Sequence, residues 1–370
     1  MPKCRLLTNH ACLNVKNYWT PCCVFDYKYV KTKTSDLLAY RASDDFNDIK
    51  KAMVSGWHPG CKKCRADEMA GKWSLRQDSV RLSGIDGVIE DVEINLSNEC
   101  NLTCKMCGPK FSTKWQSLVD SNPALKKWTD HQISDQTKPV LSSAMAHIDL
   151  SKLKSIKYLG GEPFITKEIT DLFQLLDTNN VIKNLSFSCH TNCTLIPQKH
   201  LKALSRFGRL EIGLSIDGIG NHAEYIRTGF TWKRIDEVVD RWVDLQQQRT
   251  NDGFYDNFYI YTTIQAYNLH HVPEITSYAQ SKNMRFLYGF LEYPRYLSVS
   301  ALTYEYKKEI IRSLYYDPTV PNALAEQASL MRPNPDLLDQ LRQYTDDLDR
   351  AMDTNIALVI PGLAKHLVER

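Results

Sequence analysis

Three cysteines, Cys100, Cys104 and Cys107, stand at spacings of four and three directly after an alternating apolar run, Val92 to Leu96. A strand that feeds a loop of closely spaced thiols constrains this chain more than any other stretch, because the loop has to present its sulfurs to a common centre. Iron–sulfur clusters are held by thiolates, and most protein-held clusters use four. Three thiolates leave one iron of a cubane to a non-protein ligand, and open metal positions are where chemistry happens. The competing readings are a partial zinc site and three buried structural cysteines. Zinc sites usually pair two motifs of two-residue gap, and the triplet does not follow that pattern.

Composition supplies the setting. The chain has 370 residues, 43% hydrophobic and 24% charged, ordinary for a globular protein with a sizeable core and two or three domains. A net charge of +3 gives no argument for a nucleic-acid or anionic-membrane partner. No apolar run reaches the ~20 residues of a membrane span, and Met1-Pro-Lys-Cys-Arg lacks the apolar core of a signal peptide. The 11 cysteines are clustered and odd in number, which reads as metal binding in a reducing compartment rather than as disulfides. The expectation is a cytoplasmic protein.

Residues 1–80 form the first expected domain. Cys4 opens it. Ala11–Val15 alternates as a strand, Lys16-Asn17 turns, and Tyr18-Trp19-Thr20 returns, ending in Pro21-Cys22-Cys23. A polar helix is expected near Ser43–Val54, then a Gly- and Pro-rich turn into Cys61-Lys-Lys-Cys64. One thiol before a hairpin, one after it and a distal Cys-x-x-Cys make a four-sulfur site for which zinc and iron–sulfur are both chemically reasonable, with spacing alone leaning to zinc. His10 and His58 lie near these cysteines, each as a ligand or as an ordinary partly buried histidine. Residues 65–90 read as a linker, with Glu68–Arg76 charged and helix-compatible and Ser83–Gly87 a turn.

Residues 88–300 carry six strand-like runs: Val92–Leu96, Ile156–Leu159, Leu185–Ser188, Leu210–Ile216, Phe258–Ile264 and Phe286–Leu291. Helical segments separate them near Ser112–Trp128, Lys167–Leu176, Gln198–Phe207, Trp232–Gln248 and Pro273–Ser281. Repeated strand–helix units imply a parallel sheet with helices outside, and ligands of such sheets gather at the C-terminal strand ends. Gly160-Gly161-Glu162-Pro163 falls at one such end. Its glycines allow close backbone approach and Glu162 offers a carboxylate to a cation. Asn192, in Thr191-Asn-Cys-Thr194, follows the third strand, and Ser215-Ile-Asp217-Gly with Tyr225-Ile-Arg227-Thr-Gly229 follows the fourth. Glu292, Tyr288 and His190 are further polar groups at strand ends. Residues 301–370 are expected to be a helical extension, with Leu337, Leu338, Leu341, Tyr344 and Leu348 at helical spacing. That extension reads as packing against the strands, closing an edge or making a dimer contact.

Taken together, the triplet and Gly160–Pro163 resemble the signature of the radical S-adenosylmethionine (SAM) enzymes. The resemblance implies a partial (β/α)6 TIM-like barrel, of α/β class. It implies a 4Fe–4S cluster on Cys100, Cys104 and Cys107, whose fourth iron chelates SAM. One electron then cleaves the sulfonium, and a 5′-deoxyadenosyl radical takes a hydrogen atom from substrate. By the same resemblance Met106 lies against the adenine, Gly160–Pro163 bind the amino group, and Asn192 belongs to a Thr-Asn-Gly-Thr segment in which Cys193 replaces glycine, for a less strained backbone or a different loop. Ser215 meets the ribose, Asp217 belongs to the same Ser-x-Asp-Gly motif, and Arg227 meets the SAM carboxylate, against the alternative of a surface ion pair.

The N-terminal cysteines resemble the twitch domain, the short form of the SPASM domain, which carries an auxiliary 4Fe–4S cluster. Carried over, Cys4, Cys22, Cys61 and Cys64 are its ligands, with Cys23 competing for the place of Cys22 and Cys12 for that of Cys4. The twitch domain usually follows the barrel, and here it precedes it. The implied activity is oxidation or cross-linking of a small molecule or peptide, with the auxiliary cluster as electron acceptor. An external one-electron reductant of flavodoxin or ferredoxin type is implied as a partner. The rival expectation is a non-enzymatic zinc-binding module contacting nucleic acid through Lys62-Lys63-Cys64-Arg65.

Overall fold

The computed structural model describes residues 4–82, 84–129 and 139–368, so Ser83 of the expected turn lies outside the described residues. Among the described residues there are ten strands: β1 (His10–Leu13), β2 (Trp19–Thr20), β3 (Asp91–Asn95), β4 (Thr103–Cys104), β5 (Ser155–Leu159), β6 (Ser186–Thr191), β7 (Arg209–Ser215), β8 (Arg227–Thr228), β9 (Asn257–Ile264) and β10 (Arg285–Phe290). The fold is α/β, with a mostly parallel eight-stranded sheet of order β10-β9-β7-β6-β5-β3-β1-β2. β1–β3, β3–β5, β5–β6 and β9–β10 run parallel, and β1–β2 antiparallel.

All six runs read as strands in the core are strands, each offset by at most one residue at either end, except that β6 runs on to Thr191. Their apolar residues are what a parallel sheet covered on both faces demands: Val92, Ile94, Ile156, Tyr158, Phe187, Leu210, Ile212 and Ile260 are all buried. The expected hairpin is β1–β2, with Cys12 opposite Thr20 and Leu13 opposite Trp19. β1 also pairs with β3, so the hairpin is part of the main sheet.

The helices follow their local signals. Ser43 caps Asp44–Ser55 by accepting from the Phe46 N–H, with Asp44 and Asp45 in the first turn, where the helix dipole favours them. Lys167–Thr178 buries Ile169, Leu172, Phe173 and Leu176, a single stripe at helical spacing. The Gly- and Pro-rich turn is a 3-10 turn over Pro59–Cys61 that continues as the helix Lys62–Met69. Gly60 is required there, because a Cβ would lie 2.3 Å from the Phe25 ring.

The chain divides into two compact units, one drawn from Met1–Asn98, Asp135–Cys189 and Gln198–Glu211, the other from Glu99–Ser134, His190–Pro197 and Ile212–Arg370. The first contains β1, β2, β3 and β5, with the helices Asp44–Ser55, Lys62–Met69 and Lys167–Thr178. The second contains the β4–β8 pair, β9, β10 and the C-terminal helices. In the second unit Leu337, Leu341, Tyr344 and Leu348 of the helix Pro335–Met352 enter one core cluster with Trp115, Tyr225 and Tyr267, while Leu338 is only partly buried against it. Each buried leucine contributes about 1.5–3 kcal/mol. Among the described residues, no helix is long and apolar enough to cross a membrane.

Candidate functional site

The cysteine triplet lies in the second unit on a loop pinned from several sides. β4 pairs antiparallel with β8, placing Cys104 opposite Arg227. The Lys105 N–H donates to the Ile226 carbonyl at 2.8 Å, and the Trp115 indole N–H to the Cys104 carbonyl at 2.8 Å. The Cys107 N–H closes a turn on the Cys104 carbonyl at 2.9 Å. Ser112, which caps the helix Thr113–Ser121, donates its hydroxyl to the Leu102 carbonyl at 2.7 Å. Met106 is half-buried and packs on the core cluster.

Asn192 braces the start of the loop. Its Nδ2 donates to Asn101 Oδ1 at 3.0 Å and lies 3.8 Å from Cys100 Sγ. Its Oδ1 accepts from the Thr194 N–H and hydroxyl at 3.0 and 2.7 Å, and Asn101 donates to Thr194 Oγ1 at 2.9 Å. Between Asn192 and Thr194, Cys193 has φ +60°. The backbone therefore keeps the left-handed conformation that glycine adopts readily, and does not relax as the substitution suggested.

Arg227 is committed to Asp217 through Nε and an Nη atom, both at 2.7 Å from Asp217 Oδ2. Asp217 is fully buried, and its Oδ1 accepts from the Thr263 N–H at 2.8 Å. The pair is inside the protein, not on the surface. Burial alone would pull the guanidinium down, but Asp217 and the Cys104 and Cys107 sulfurs hold it above its usual range. Ser215 closes β7 half-buried.

Removal from water raises the Cys104 thiol well above its ordinary range and the Cys107 thiol to about 11. Against that burial, the fixed Arg227 guanidinium favours the thiolates, the forms that ligate a metal, and ligation releases the protons. The three soft donors fit an iron–sulfur cluster with an open position.

In the first unit, Gly160 has φ +153°, and a Cβ there would lie 2.5 Å from the Ser97 carbonyl oxygen. Gly161 donates its N–H to that same oxygen at 3.1 Å. Glu162 is buried and caps the 3-10 turn Pro163–Ile165, accepting from the Phe164 N–H at 3.3 Å, with Pro163 opening the turn.

Also in the first unit, Cys4, Cys22, Cys61 and Cys64 line one pocket, together with Leu6, Phe25, Met53, Trp57 and Arg76. Cys61 stands at the N-cap of Lys62–Met69 and Cys64 in its first turn. Burial raises the thiols of Cys4 and Cys22, and that of Cys61 to about 12. The four thiols fit a second cluster by their number and common lining. His58 is engaged elsewhere, accepting from the Gly60 N–H at 3.0 Å and stacking on Phe25. Cys12 and Cys23 are not among the lining residues.

Sequence reasoning missed two cations. Arg76 lines the four-thiol pocket and is fixed by Glu68 at 2.6 and 2.8 Å. Lys105, fully buried inside the triplet loop, reaches Asp349 Oδ1 at 3.0 Å and Thr354 Oγ1 at 3.1 Å, while the Tyr344 hydroxyl donates to the Lys105 carbonyl at 2.6 Å. A lysine between two closely spaced cysteines was the available signal.

A family model described as the radical SAM superfamily matches residues 94–278, half of the chain. The chain is 26% identical over 152 residues to the GTP 3′,8-cyclase of Clostridium acetobutylicum, 41% of this chain and 42% of that protein. It is 27% identical over 133 residues to that of Staphylococcus carnosus, 36% and 35% of the two lengths. Among solved structures, anSMEcpe with bound AdoMet matches with TM-score 0.42 and 19% identity, over 61% of this chain and 57% of that one. Streptococcus suis SuiB bound to S-adenosylmethionine matches with TM-score 0.34 and 14% identity, over 74% and 49%. The matches thus span less than half the length of the curated relatives.

Proposed function

This chain belongs to the radical SAM superfamily, and from that premise we propose an iron–sulfur enzyme that cleaves SAM reductively and oxidises or cross-links a small molecule or peptide, with a twitch-type auxiliary cluster. Cys100, Cys104 and Cys107 hold the first 4Fe–4S cluster, which when bound supplies the electron that splits the sulfonium. Met106, Gly160, Gly161, Glu162, Pro163, Asn192, Ser215 and Arg227 bind SAM. Asp217, with both carboxylate oxygens engaged, serves as a positioning residue that fixes the plane of Arg227. An aligned guanidinium suits a carboxylate because its planar fork is pre-organised.

The single observation that carries the auxiliary cluster is the shared pocket of Cys4, Cys22, Cys61 and Cys64. These thiols come from three separate segments of the first 64 residues, and a common ligand accounts for their convergence. Arg76 sets a fixed positive charge beside them, favouring the Cys4 thiolate. A second cluster there supplies an acceptor for one electron, which suits a net two-electron oxidation. An external one-electron reductant of flavodoxin or ferredoxin type recharges the first. The zinc-module reading loses to the family match, which spans the triplet, Gly160–Pro163 and Arg227.

Anaerobic reconstitution tests the reading. We expect a brown protein with about eight irons per chain that releases 5′-deoxyadenosine from SAM when reduced. Cys61→Ala with Cys64→Ala should reduce the iron to about four and retain SAM cleavage. A reduced preparation that leaves SAM intact overturns the enzyme reading. A wild-type protein with about four irons overturns the auxiliary cluster.

A further inference from the structure

The register of the N-terminal sheet gathers a second set of donors that the two thiol groups do not use. β1 runs parallel to β3 with His10 opposite Asp91 and Cys12 opposite Glu93. β5 adds Ser155 opposite Asp91 and Lys157 opposite Glu93. Strand side chains alternate between faces, so positions two apart share one. His10, Cys12, Asp91, Glu93, Ser155 and Lys157 therefore stand on one face, and Ala11, Leu13, Val92, Ile94, Ile156 and Tyr158 on the other. The polar face is not exposed: His10, Cys12, Asp91 and Glu93 retain 4%, 2%, 6% and 5% of their accessible surface.

Asp91 Oδ2 lies 2.6 Å from His10 Nδ1, which fixes the ring and leaves Nε2 as its available nitrogen. His10 Nε2 has no hydrogen-bond partner, and neither has Glu93 Oε1. One ligand atom from each of His10, Cys12 and Glu93 lies within 4.8 Å of the other two. Leaving a buried polar atom unsatisfied costs about 1–3 kcal/mol, and two in one spot with a thiol point to a missing common partner.

We propose that His10, Cys12 and Glu93 form a mononuclear metal site, of zinc(II) class, distinct from the pocket of Cys4, Cys22, Cys61 and Cys64. Imidazole, thiolate and carboxylate together suit a borderline-soft divalent ion, and three protein ligands leave a fourth position open. Bonds of about 2.0–2.3 Å place tetrahedral ligands about 3.3–3.8 Å apart, so the three close in by on the order of 1 Å. The Asp91–His10 contact is the carboxylate–histidine arrangement that orients a metal-bound imidazole. Cys23, which lies beside Glu93, or a water takes the fourth position. Metal binding displaces the Cys12 proton, and Lys157 sets a positive charge beside Glu93, Cys23 and Cys12. The competing account is a metal-free polar face in which Lys157 alone balances Glu93. The site does not depend on the enzyme reading above.

Zinc K-edge absorption on the intact, zinc-supplemented protein reads this centre without interference from iron. The expected result is about one zinc per chain, bound by one or two sulfurs with nitrogen and oxygen ligands. Glu93→Gln should weaken zinc binding at least about tenfold and Asp91→Asn by about 10–100-fold, read by chelator competition, while Cys61→Ser leaves it unchanged. Cys12→Ser, nearly isosteric, gives the same reading if Glu93→Gln does not fold. Absence of zinc overturns the proposal. So does a four-sulfur zinc environment that Cys61→Ser abolishes, or zinc affinity untouched by Cys12→Ser and Glu93→Gln.

Discussion

Breaking the Lys105–Asp349 pair should be asymmetric, and the asymmetry can be worked from its surroundings. Lys105 is fully buried, its ammonium 3.0 Å from Asp349 Oδ1 and 4.0 Å from the centre of the Tyr225 ring. At an effective dielectric of about 20 the charges attract by roughly 5.5 kcal/mol. Burial nevertheless depresses the Lys105 pKa despite Asp349, so desolvation outweighs the pair. Lys105→Met removes the costly cation and leaves Asp349 with the Thr354 hydroxyl and the Ile356 N–H, both at 2.7 Å. Its cost should be about 1–3 kcal/mol, the scale of lost charge-assisted hydrogen bonds. Asp349→Asn instead strands a buried ammonium, at about 3–5 kcal/mol. Urea unfolding of the apo-protein, followed by circular dichroism, measures both. For Asp349→Asn the penalty should shrink as pH rises toward 10, because a lysine of depressed folded pKa sheds its proton first in the native state. Equal costs for the two variants, or a pH-independent Asp349→Asn penalty, would refute the reasoning. Lys105 lies between Cys104 and Met106, so both variants should also lose iron from the triplet more readily.

Three further outcomes are expected. Gly160→Ala should destabilise by about 1–3 kcal/mol in thermal unfolding, since it puts a Cβ against the Ser97 carbonyl in a glycine-favouring conformation; a neutral effect would contradict the geometry. Cys193→Gly should be tolerated within about 1 kcal/mol, because relief of roughly 1–2 kcal/mol of left-handed strain offsets the loss of a small buried side chain. Burial, reinforced by the nearby His271, lowers His222 to about 3 and His270 to about 4, so each stays neutral in the native state and contributes stability that is full above pH 6.5 and lost on acidification. At pH 5 each should have cost about 2 kcal/mol relative to pH 7, and a flat urea midpoint between those pH values would exclude it.

The strands were legible because their apolar runs are short, separated and bounded by turns. Val92–Leu96 and Phe258–Ile264 could hardly be anything else between polar neighbours. The helix stripe of Leu337, Leu341, Tyr344 and Leu348 was legible for the same reason, but not what it holds. Lys105 and Asp349 are 244 positions apart, and no local pattern links them. The Asp217–Arg227 pair was hidden differently: both residues were singled out, but as ligands of a cofactor rather than of each other. Spacing also could not sort the N-terminal thiols. Cys12 and Cys4 were rivals on paper. Strand pairing separates them, because Cys12 is held opposite Glu93 on β3 whereas Cys4 precedes the helix Leu6–Asn9 and lines the pocket.

That separation bears on the order of the segments. The N-terminal thiol-bearing segment precedes the strand that leads to the cysteine triplet. β1 joins it to that strand by ordinary backbone hydrogen bonds. It adds to the edge of β3, in parallel, over four paired positions from His10 opposite Asp91 to Leu13 opposite Ile94. β3 is the strand that leads into the Cys100 loop. An N-terminal segment that joins this strand by hydrogen bonds is fixed in register, since a one-residue slip would send Ala11 and Leu13 to the polar face and Cys12 to the apolar one. The same register that anchors the thiol-bearing segment also aligns His10 and Cys12 with Asp91 and Glu93. A metal at that face would therefore lock the hairpin to β3, and the four-thiol pocket with it. Removing zinc should then loosen amide-exchange protection of β1 and β2 before that of β9 and β10, whereas uniform loss of protection would show that the hairpin's anchorage owes nothing to the metal.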